Sequence, residues 1–271
     1  MRTPSIAPPR APSRTASAEA AALPRGAAPA RVTAATRAAR RERVYELVSG
    51  ASGLALAVFM WGHMVLVGSI LTGARGFDWL AQGLEDLYLA QPTVVAISLL
   101  FLVHAVLASR KIPAQLRERR RMRELARELR RRGLATTAGA PHTESLLWIW
   151  QVRTGMAILV AGSFHLGMVA LDVLTPLWGE RTGIEAATST ARVGAGLWLL
   201  YGLLLVAVEF HASAGLYRLA VKWGAGSRLS RATLRRLEQA LLVVFLGLGL
   251  VTLAVLAGWL APPLAFVWEA A

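Results

Sequence analysis

Residues 193–217 read VGAGLWLLYGLLLVAVEFHASAGLY and contain a single charged side chain, that of Glu209. A transmembrane helix needs about 20 mostly apolar residues, because it rises about 1.5 Å per residue across roughly 30 Å of hydrocarbon. Four further runs contain no charged residue: 47–74, 87–109, 154–171 and 239–268. These runs are continuous, whereas the strands of a membrane β-barrel alternate over about 10 residues. The pattern predicts an all-α protein, an integral membrane bundle of five transmembrane helices.

The five runs define the domain organisation. They predict helices over 45–72, 89–110, 145–172, 192–218 and 236–261. Together these helices form a transmembrane domain over 44–262, followed by a short C-terminal tail over 263–271. Residues 1–43 are rich in Ala, Pro, Ser and Arg and contain no apolar core of signal-peptide length. Because this composition buries little apolar surface, we expect a disordered basic N-terminal tail.

The composition excludes several kinds of chemistry. The 271 residues contain no cysteine, which excludes disulfides, iron–sulfur clusters, thiolate nucleophiles and covalent c-type haem attachment. Hydrophobic residues make up 55% of the chain and charged residues 17%, below the roughly 25% typical of soluble domains. The formal net charge of +14 can indicate a nucleic-acid partner. Here the charges are separated from long apolar runs, which favours a membrane protein with no nucleic-acid partner.

Basic residues are concentrated in alternate segments between the predicted helices, and this sets the orientation. Nine Arg precede Glu46, eleven Lys or Arg lie in 110–144 and six lie in 218–238, which accounts for 26 of the 30 basic residues. We therefore expect a cytoplasmic N-terminus and a C-terminus on the outer side. The stretch RERRRMRELARELRRR, at 117–132, resembles a nucleic-acid patch in isolation. Its position between two spans instead favours a short charged interfacial helix that contacts lipid or a soluble partner.

Four of the five histidines lie in four different predicted helices: His63, His104, His165 and His211. Counted along the helix, His63 and His165 lie roughly 15 and 10 Å from the outer edge, and the other two roughly 9 and 10 Å from the inner edge. A single membrane histidine is more often a hydrogen-bonding residue between helices. Four histidines at two depths instead predict two bis-histidine sites. Haem suits such sites, whereas a zinc site would gather its ligands at one depth.

Small residues lie one helical turn from three of these histidines: Ala108, Ala161, Ala207 and Gly215. They provide clearance for a flat macrocycle beside a helix. Close packing between membrane helices uses the same residue types, so both explanations stay open. The fifth histidine, His142, is predicted at the cytoplasmic entrance of the third helix, where it contacts a propionate or a partner subunit or is a surface residue.

Four segments carry a family resemblance: FMWGHMVLVGSILTG (59–73), VHAVLASRKIP (103–113), LLWIWQVRTGMAILVAGSFHLGM (146–168) and VEFHASAGLYRLAVKWG (208–224). They resemble the dihaem cytochrome b subunit of succinate:quinone oxidoreductases, the fumarate reductase and succinate dehydrogenase family with one large five-helix anchor. The resemblance covers about 45–260, and the last segment is its most specific part.

The resemblance implies two haem b groups and a quinone, with menaquinone the expected type. His63 and His165 would ligate the iron of the distal, outer haem, and His104 and His211 that of the proximal, inner haem. It also implies a flavoprotein and an iron–sulfur subunit on the cytoplasmic side of a bacterial inner membrane, in a heterotrimer that can itself dimerise. This chain would pass electrons between quinone and those subunits without binding succinate or fumarate itself.

The resemblance gives roles to two acids. Glu85, with Trp79 as a matching landmark, falls at the family's quinone glutamate, which accepts protons released by quinol. The alternative for Glu85 is a solvated loop acid. Glu209 matches a glutamate proposed to relay protons; two residues before His211, it is turned about 200° away from that histidine's face. A structural hydrogen bond between helices is the alternative for Glu209.

Contacts to haem propionates are implied for four further residues: Ser49, Trp148, Arg192 and Lys222. Anionic propionates need basic or hydrogen-bonding partners, which these side chains can supply. Ser49 and Ser52 lie near a polar pair of the family, but Gly50 replaces one of its serines and leaves that contact in doubt.

Two other functions remain open at this stage. One is a dihaem anchor of a different membrane oxidoreductase, such as a hydrogenase or a formate dehydrogenase. The other is a haem-free transporter that moves protons through its histidines and Glu209. A reduced-minus-oxidised optical spectrum separates the transporter from both haem proteins.

Overall fold

A computed structural model describes residues 28–133, 143–175, 178, 185–224 and 227–269. Within these ranges the chain is helical and contains no strand. In chain order the α-helices are α1 (Ala28–Gly68), α2 (Ala74–Asp86), α3 (Ala90–Ser109), α4 (Ile112–Arg131), α5 (Thr143–Leu174), α6 (Ala186–Arg192), α7 (Trp198–Lys222), α8 (Arg231–Leu256) and α9 (Phe266–Glu269).

Five helical segments of the described chain are long and apolar enough to cross a membrane: Thr36–Thr72, Pro92–Arg131, Ser145–Asp172, Ala186–Lys222 and Arg231–Leu256. Large apolar side chains cover their outer surfaces. On α3, for example, Val95, Leu99 and Val106 are exposed. A contiguous apolar exterior of this kind suits lipid rather than water. The predicted all-α bundle with five transmembrane helices is confirmed.

The chain divides into two compact units, Met1–Glu46 and Leu47–Ala271. In the first unit, the described residues from Ala28 onward are helical and belong to α1. The prediction of a disordered tail up to residue 43 therefore differs from the structure over 28–43. Ala and Arg, the main residue types there, are strong helix formers. Residues 1–27 and His142 lie outside the described residues, so the predictions made for them stay predictions.

The segment between the first two spans forms a helix, α2, where the sequence had suggested only a connecting loop. Gly73, at φ 93°, turns the chain into it. Phe77 and Ala81 are buried in an apolar cluster with Ile70 at the end of the first span and with Val255 on α8. The carboxylate of Asp78 accepts a hydrogen bond from the Ala186 backbone N–H at 2.7 Å. These contacts fix α2 to one end of the bundle, named the outer end because the basic residues predict that it faces outward.

The C-terminal segment also packs onto this outer end. The last span ends at Leu256, earlier than the predicted 261, and the chain then turns back. The Trp268 indole N–H donates to Thr72 Oγ1 at 3.1 Å, and Arg75 donates to the Trp268 carbonyl at 3.3 Å. A Cβ at Gly76 would lie 2.4 Å from the Trp268 indole nitrogen, so the close approach requires glycine.

The fourth span is interrupted, whereas the sequence predicted one helix over 192–218. A π-helical turn, Val193–Leu197, joins α6 to α7, and Gly196 within it has φ 96°. Residues that have a side chain rarely adopt a positive φ of this size, which explains why a glycine is found at this position. Turns of this kind inside helices often occur at functional sites.

Candidate functional site: two pairs of histidines

The inner histidines, His104 on α3 and His211 on α7, lie opposite each other. Their ring centroids are 6.3 Å apart and their planes are nearly perpendicular, at 88°. Both rings are half-buried inside the bundle. The structure therefore brings together the two histidines that the depth estimate assigned to one site.

Each inner ring is held by a backbone carbonyl from a neighbouring helix. His104 Nδ1 lies 3.2 Å from the Ser49 carbonyl oxygen on α1, and His211 Nδ1 lies 2.9 Å from the Gln151 carbonyl oxygen on α5. A carbonyl only accepts hydrogen bonds, so each Nδ1 carries the proton and donates. The lone pair of each neutral ring then resides on Nε2. This is the tautomer in which a histidine ligates a metal through Nε2.

Two glycines on the facing helices leave room for the rings. A Cβ at Gly53 would lie 2.8 Å from Cε1 of His104, and a Cβ at Gly155 would lie 2.9 Å from Cε1 of His211. Gly53 follows Ser49 by four residues, and Gly155 follows Gln151 by the same interval. Both halves of the inner site thus use a carbonyl and, one turn later, a glycine. The sequence pattern predicted small residues beside three of the histidines on the same helix, and it did not predict these two glycines on neighbouring helices.

The spacing of the inner rings fits two ligands of one metal ion. An imidazole nitrogen bonds a first-row metal ion at about 2.0–2.1 Å, and the ring centre lies roughly 1.2 Å further, so two imidazoles across one ion have centres roughly 6.4 Å apart. The observed 6.3 Å matches this value. Perpendicular planes are compatible with it, because each imidazole can rotate about its metal–nitrogen bond.

Protein side chains alone do not complete a metal site here. Over the described ranges, no group of three or more His, Cys, Asp or Glu side chains is placed to hold a metal ion. A pair of imidazoles therefore suits an ion whose remaining ligands come from a macrocycle.

The outer histidines, His63 and His165, also lie within electrostatic range of each other. His63 stacks on Phe59, with ring centroids 5.9 Å apart. Tyr201 meets the His165 ring edge-on at 5.4 Å. Nδ1 of His165 is buried and has no hydrogen-bond partner among the described residues. A buried polar atom of this kind normally has a partner, which points to a missing ligand or water.

Glu209 lies at the junction of three spans. Its side chain is 1% exposed, and one carboxylate oxygen accepts a hydrogen bond from the Trp61 indole N–H of α1 at 3.3 Å. Trp61 in turn stacks on Phe245 of α8, with centroids 5.0 Å apart. The other carboxylate oxygen of Glu209 has no partner in the described part of the chain. Glu209 is therefore a buried acid with one fixed donor and one free acceptor.

Glu85 lies on α2 and is half-buried, which sets it apart from its exposed neighbour Asp86. It follows Asp78 by seven residues, so the two side chains share one helical face. Asp78 binds the bundle through Ala186. Glu85 consequently lies on a face that is turned toward the bundle, although α2 was not predicted as a helix.

The other predicted site residues have distinct surroundings. The Ser49 contact to His104 comes from its backbone, and the Ser52 hydroxyl lies 3.2 Å from the same Nδ1. The Trp148 indole N–H donates to Gln115 of α4 at 2.8 Å, and the Arg119 guanidinium stacks on its ring.

Arg192 and Lys222 lie at opposite ends of the fourth span. Arg192 is buried at the outer end, and Lys222 is exposed at the end of α7. Lys222 follows His211 by eleven residues, three helical turns, and thus lies on the same face toward the inner side.

Comparison with known proteins identifies the family. A family model described as Succinate dehydrogenase/Fumarate reductase transmembrane subunit matches residues 126–257. The chain is 34% identical over 229 residues to the fumarate reductase cytochrome b subunits of two Helicobacter pylori strains, covering 80% of this chain and 83% of each relative. It is 33% identical over 214 residues to the fumarate reductase cytochrome b subunit of Wolinella succinogenes, covering 74% of this chain and 77% of the relative.

The chain belongs to the succinate dehydrogenase/fumarate reductase transmembrane subunit family. The family resemblance stated from the four sequence segments is confirmed. Within this family the chain is a multi-pass membrane protein, in agreement with its five apolar helices.

Three contacts in this family member were missed by the sequence reasoning. Asp172, at the end of the third span, pairs with Arg192 at 3.4 Å. Trp61 binds Glu209, and Arg218 donates to the side chain of Gln151, whose carbonyl holds His211. Asp172, the charge that ends the uncharged run 154–171, was a signal in the sequence, but its partner lies on another helix.

The Trp61–Glu209 contact generates a stability prediction. Trp61→Phe leaves the buried Glu209 carboxylate without its donor, and we expect it to lower the free energy of unfolding by about 1–3 kcal/mol. Adding Glu209→Met to that variant removes the unsatisfied acceptor, so the double variant should recover most of the lost free energy of unfolding. Thermal unfolding of the purified protein in detergent measures both. A double variant less stable than Trp61→Phe alone would contradict this account.

Proposed function

We propose that the chain is the dihaem cytochrome b anchor of a succinate:quinone oxidoreductase. It binds two haem b groups and a quinone, menaquinone being the expected type, and connects the quinone pool to a flavoprotein and an iron–sulfur subunit. The observation that carries the proposal is the opposed inner pair, with His104 and His211 6.3 Å apart and each Nδ1 engaged by a carbonyl. The relatives, all named fumarate reductase cytochrome b subunits, favour this partner set.

The four histidines hold the two groups in this proposal. His104 and His211 would hold the inner haem iron through Nε2, and His63 and His165 would hold the outer one. Basic and polar residues at the ends of the bundle would contact the propionates: Ser49, Trp148, Arg192 and Lys222. When bound, each haem supplies a one-electron couple with the reversible Fe(III)/Fe(II) pair. Gly53 and Gly155 keep the inner rings free to adopt the ligating orientation.

Two acidic residues accept or relay protons in this proposal. Glu85, half-buried on α2 at the outer end, accepts protons released on quinol oxidation. Glu209, fixed by Trp61 and with its second oxygen free, relays protons within the bundle. The chain itself does not bind the dicarboxylate, whose chemistry belongs to the flavoprotein.

The orientation assigns a side to each partner. The basic segments, including the exposed helix α4, lie on the cytoplasmic side of a bacterial inner membrane. The iron–sulfur subunit docks there, near His104 and His211, and heterotrimers can form a dimer. Quinone and Glu85 lie near the opposite surface. Moving one charge across the membrane is then worth about 2.3 kcal/mol per 100 mV of membrane potential.

Replacement of single ligands tests the haem assignment. His63→Ala or His165→Ala should remove the outer haem, and His104→Ala or His211→Ala the inner one, leaving about one haem per chain because one of the two protein ligands is lost. Haem content from reduced-minus-oxidised spectra and protein assay gives the result. Val95→Ala, at an exposed position on the same helix as His104, serves as the control and keeps two haems. A variant among the four that keeps both haems removes that histidine from the ligand set, and a wild type without haem refutes the proposal.

A conservative change at Glu85 tests the quinone site. Glu85→Gln keeps size and hydrogen bonding but removes the base, and we expect quinol-linked turnover of the complex to fall by about 100-fold or more. Haem content and the dye-linked activity of the soluble subunits should persist. Asp86→Asn is the matched control, since Asp86 is the adjacent exposed acid, bonded to Gln82. Equal turnover in both variants would make Glu85 an ordinary helix acid.

The absence of cysteine allows a direct test of orientation. Single cysteines placed in 117–132 should resist a membrane-impermeant thiol reagent in intact cells, because that segment is predicted to be cytoplasmic. Single cysteines at exposed positions of the two segments expected outside, 75–83 and 265–271, should react; Gln82, Phe266 and Val267 are such positions. Permeabilised cells supply the control, in which the cytoplasmic positions also react. The reverse pattern would place quinone on the cytoplasmic side and overturn the proposed arrangement.

A further inference from the structure

A buried ion pair lies at the outer ends of the third and fourth spans. Asp172 in the last turn of α5 and Arg192 at the end of α6 have side chains that are 1% and 6% exposed, and a guanidinium nitrogen lies 3.4 Å from a carboxylate oxygen. Charged groups inside a membrane protein are costly and pair with each other. Arg192 is one of the proposed propionate contacts, whereas Asp172 has no role in the proposal so far.

Local structure holds both partners in place. The second carboxylate oxygen of Asp172 accepts a hydrogen bond from the Trp178 backbone N–H at 3.2 Å. Arg192 lies 3.4 Å from the Ser189 hydroxyl, one turn back on α6. The π-helical turn that contains Gly196 follows directly, so Arg192 belongs to a short helix that is separate from α7.

The pair adjoins the outer histidine site. Asp172 follows His165 by seven residues, two helical turns, and thus lies on the same face of α5. Arg192 is within electrostatic range of His165. Tyr201, whose ring contacts His165 at 5.4 Å, is within electrostatic range of both Arg192 and Asp172.

The distance between the charged groups of Arg192 and Asp172 is long for an ion pair. A charge-assisted hydrogen bond is usually about 2.7–2.9 Å long, and this pair is at 3.4 Å. The facing nitrogen of Arg192 and oxygen of Asp172 have no hydrogen-bond partner among the described residues. Arg192 therefore retains donor capacity for a second anion, while Asp172 supplies a fixed counter-charge beside it.

We infer that Asp172 is a positioning residue for the outer site: it holds Arg192 in place at the end of the third and fourth spans and cancels its charge, and thereby sets the midpoint potential of the group bound by His63 and His165. The inference rests on the proposed function, because it requires a haem at that pair. Its physical basis is that an uncompensated charge in a low-dielectric interior shifts the potential of a nearby redox group strongly.

Redox titration of the purified complex tests the inference with four proteins. These are the wild type, Asp172→Asn, Arg192→Gln and the double variant. Asp172→Asn leaves a positive charge uncompensated, which disfavours the oxidised iron, so the outer haem potential should rise. Arg192→Gln leaves a negative charge and should lower it. The double variant is neutral again and should return close to the wild type.

We expect each single shift to correspond to at least a tenfold change in the reduction equilibrium, or 59 mV for one electron. The inner haem is an internal reference and should not shift. Asp86→Asn, which removes an exposed outer acid, should change neither potential.

Opposite shifts in the two single variants, with recovery in the double variant, support the inference. Shifts of the same sign, or none while both haems are bound, overturn it and leave Asp172 a purely structural residue. If Asp172→Asn does not assemble, the comparison of Arg192→Gln with the double variant decides, since the double variant must have the higher outer potential. A wild type without an outer haem instead refutes the proposed function.

Discussion

No water reaches the hydrocarbon core of a membrane, so a polar group placed there needs a partner from the protein or from a bound molecule. This constraint explains the contacts between the spans. A backbone carbonyl at Ser49 holds His104, another at Gln151 holds His211, and the Trp61 indole holds Glu209. The apolar faces can pack against lipid or against one another with little preference. The polar contacts are more selective, because each needs a donor and an acceptor at one depth and on facing sides of two helices.

The inner site shows how this constraint produces a binding geometry. Each half consists of a histidine on one helix and a carbonyl and a glycine, one turn apart, on the next. The carbonyl fixes the tautomer and the ring direction, and the glycine allows the approach. The rings are therefore oriented by the protein before any ligand binds, which reduces the ordering cost of binding. Such preorganisation suits a group that must be held in a fixed orientation.

The two histidine pairs lie in different electrostatic surroundings. The inner rings meet backbone carbonyls, with Arg218 bonded to the Gln151 side chain nearby, whereas the outer site adjoins the buried pair of opposite charges, Asp172 and Arg192. Fixed charges act more strongly where water is excluded. One bundle can therefore give two chemically similar sites different properties, through partners beyond the direct ligands. The interrupted fourth span contributes to this difference, since it ends α6 at the arginine and starts α7 ahead of Tyr201.

The sequence by itself determined the class of fold and predicted the depth of each histidine, because uncharged runs and helix rise depend only on local order along the chain. It also marked Glu209 as a buried acid within a span. It did not show that α2 is a helix turned toward the bundle, that Arg192 pairs with Asp172, or that Gly53 and Gly155 face the inner rings. Those features depend on which helices are neighbours and how each is rotated about its axis. An all-round apolar helix carries little information about its rotation, so only the tertiary structure could decide them.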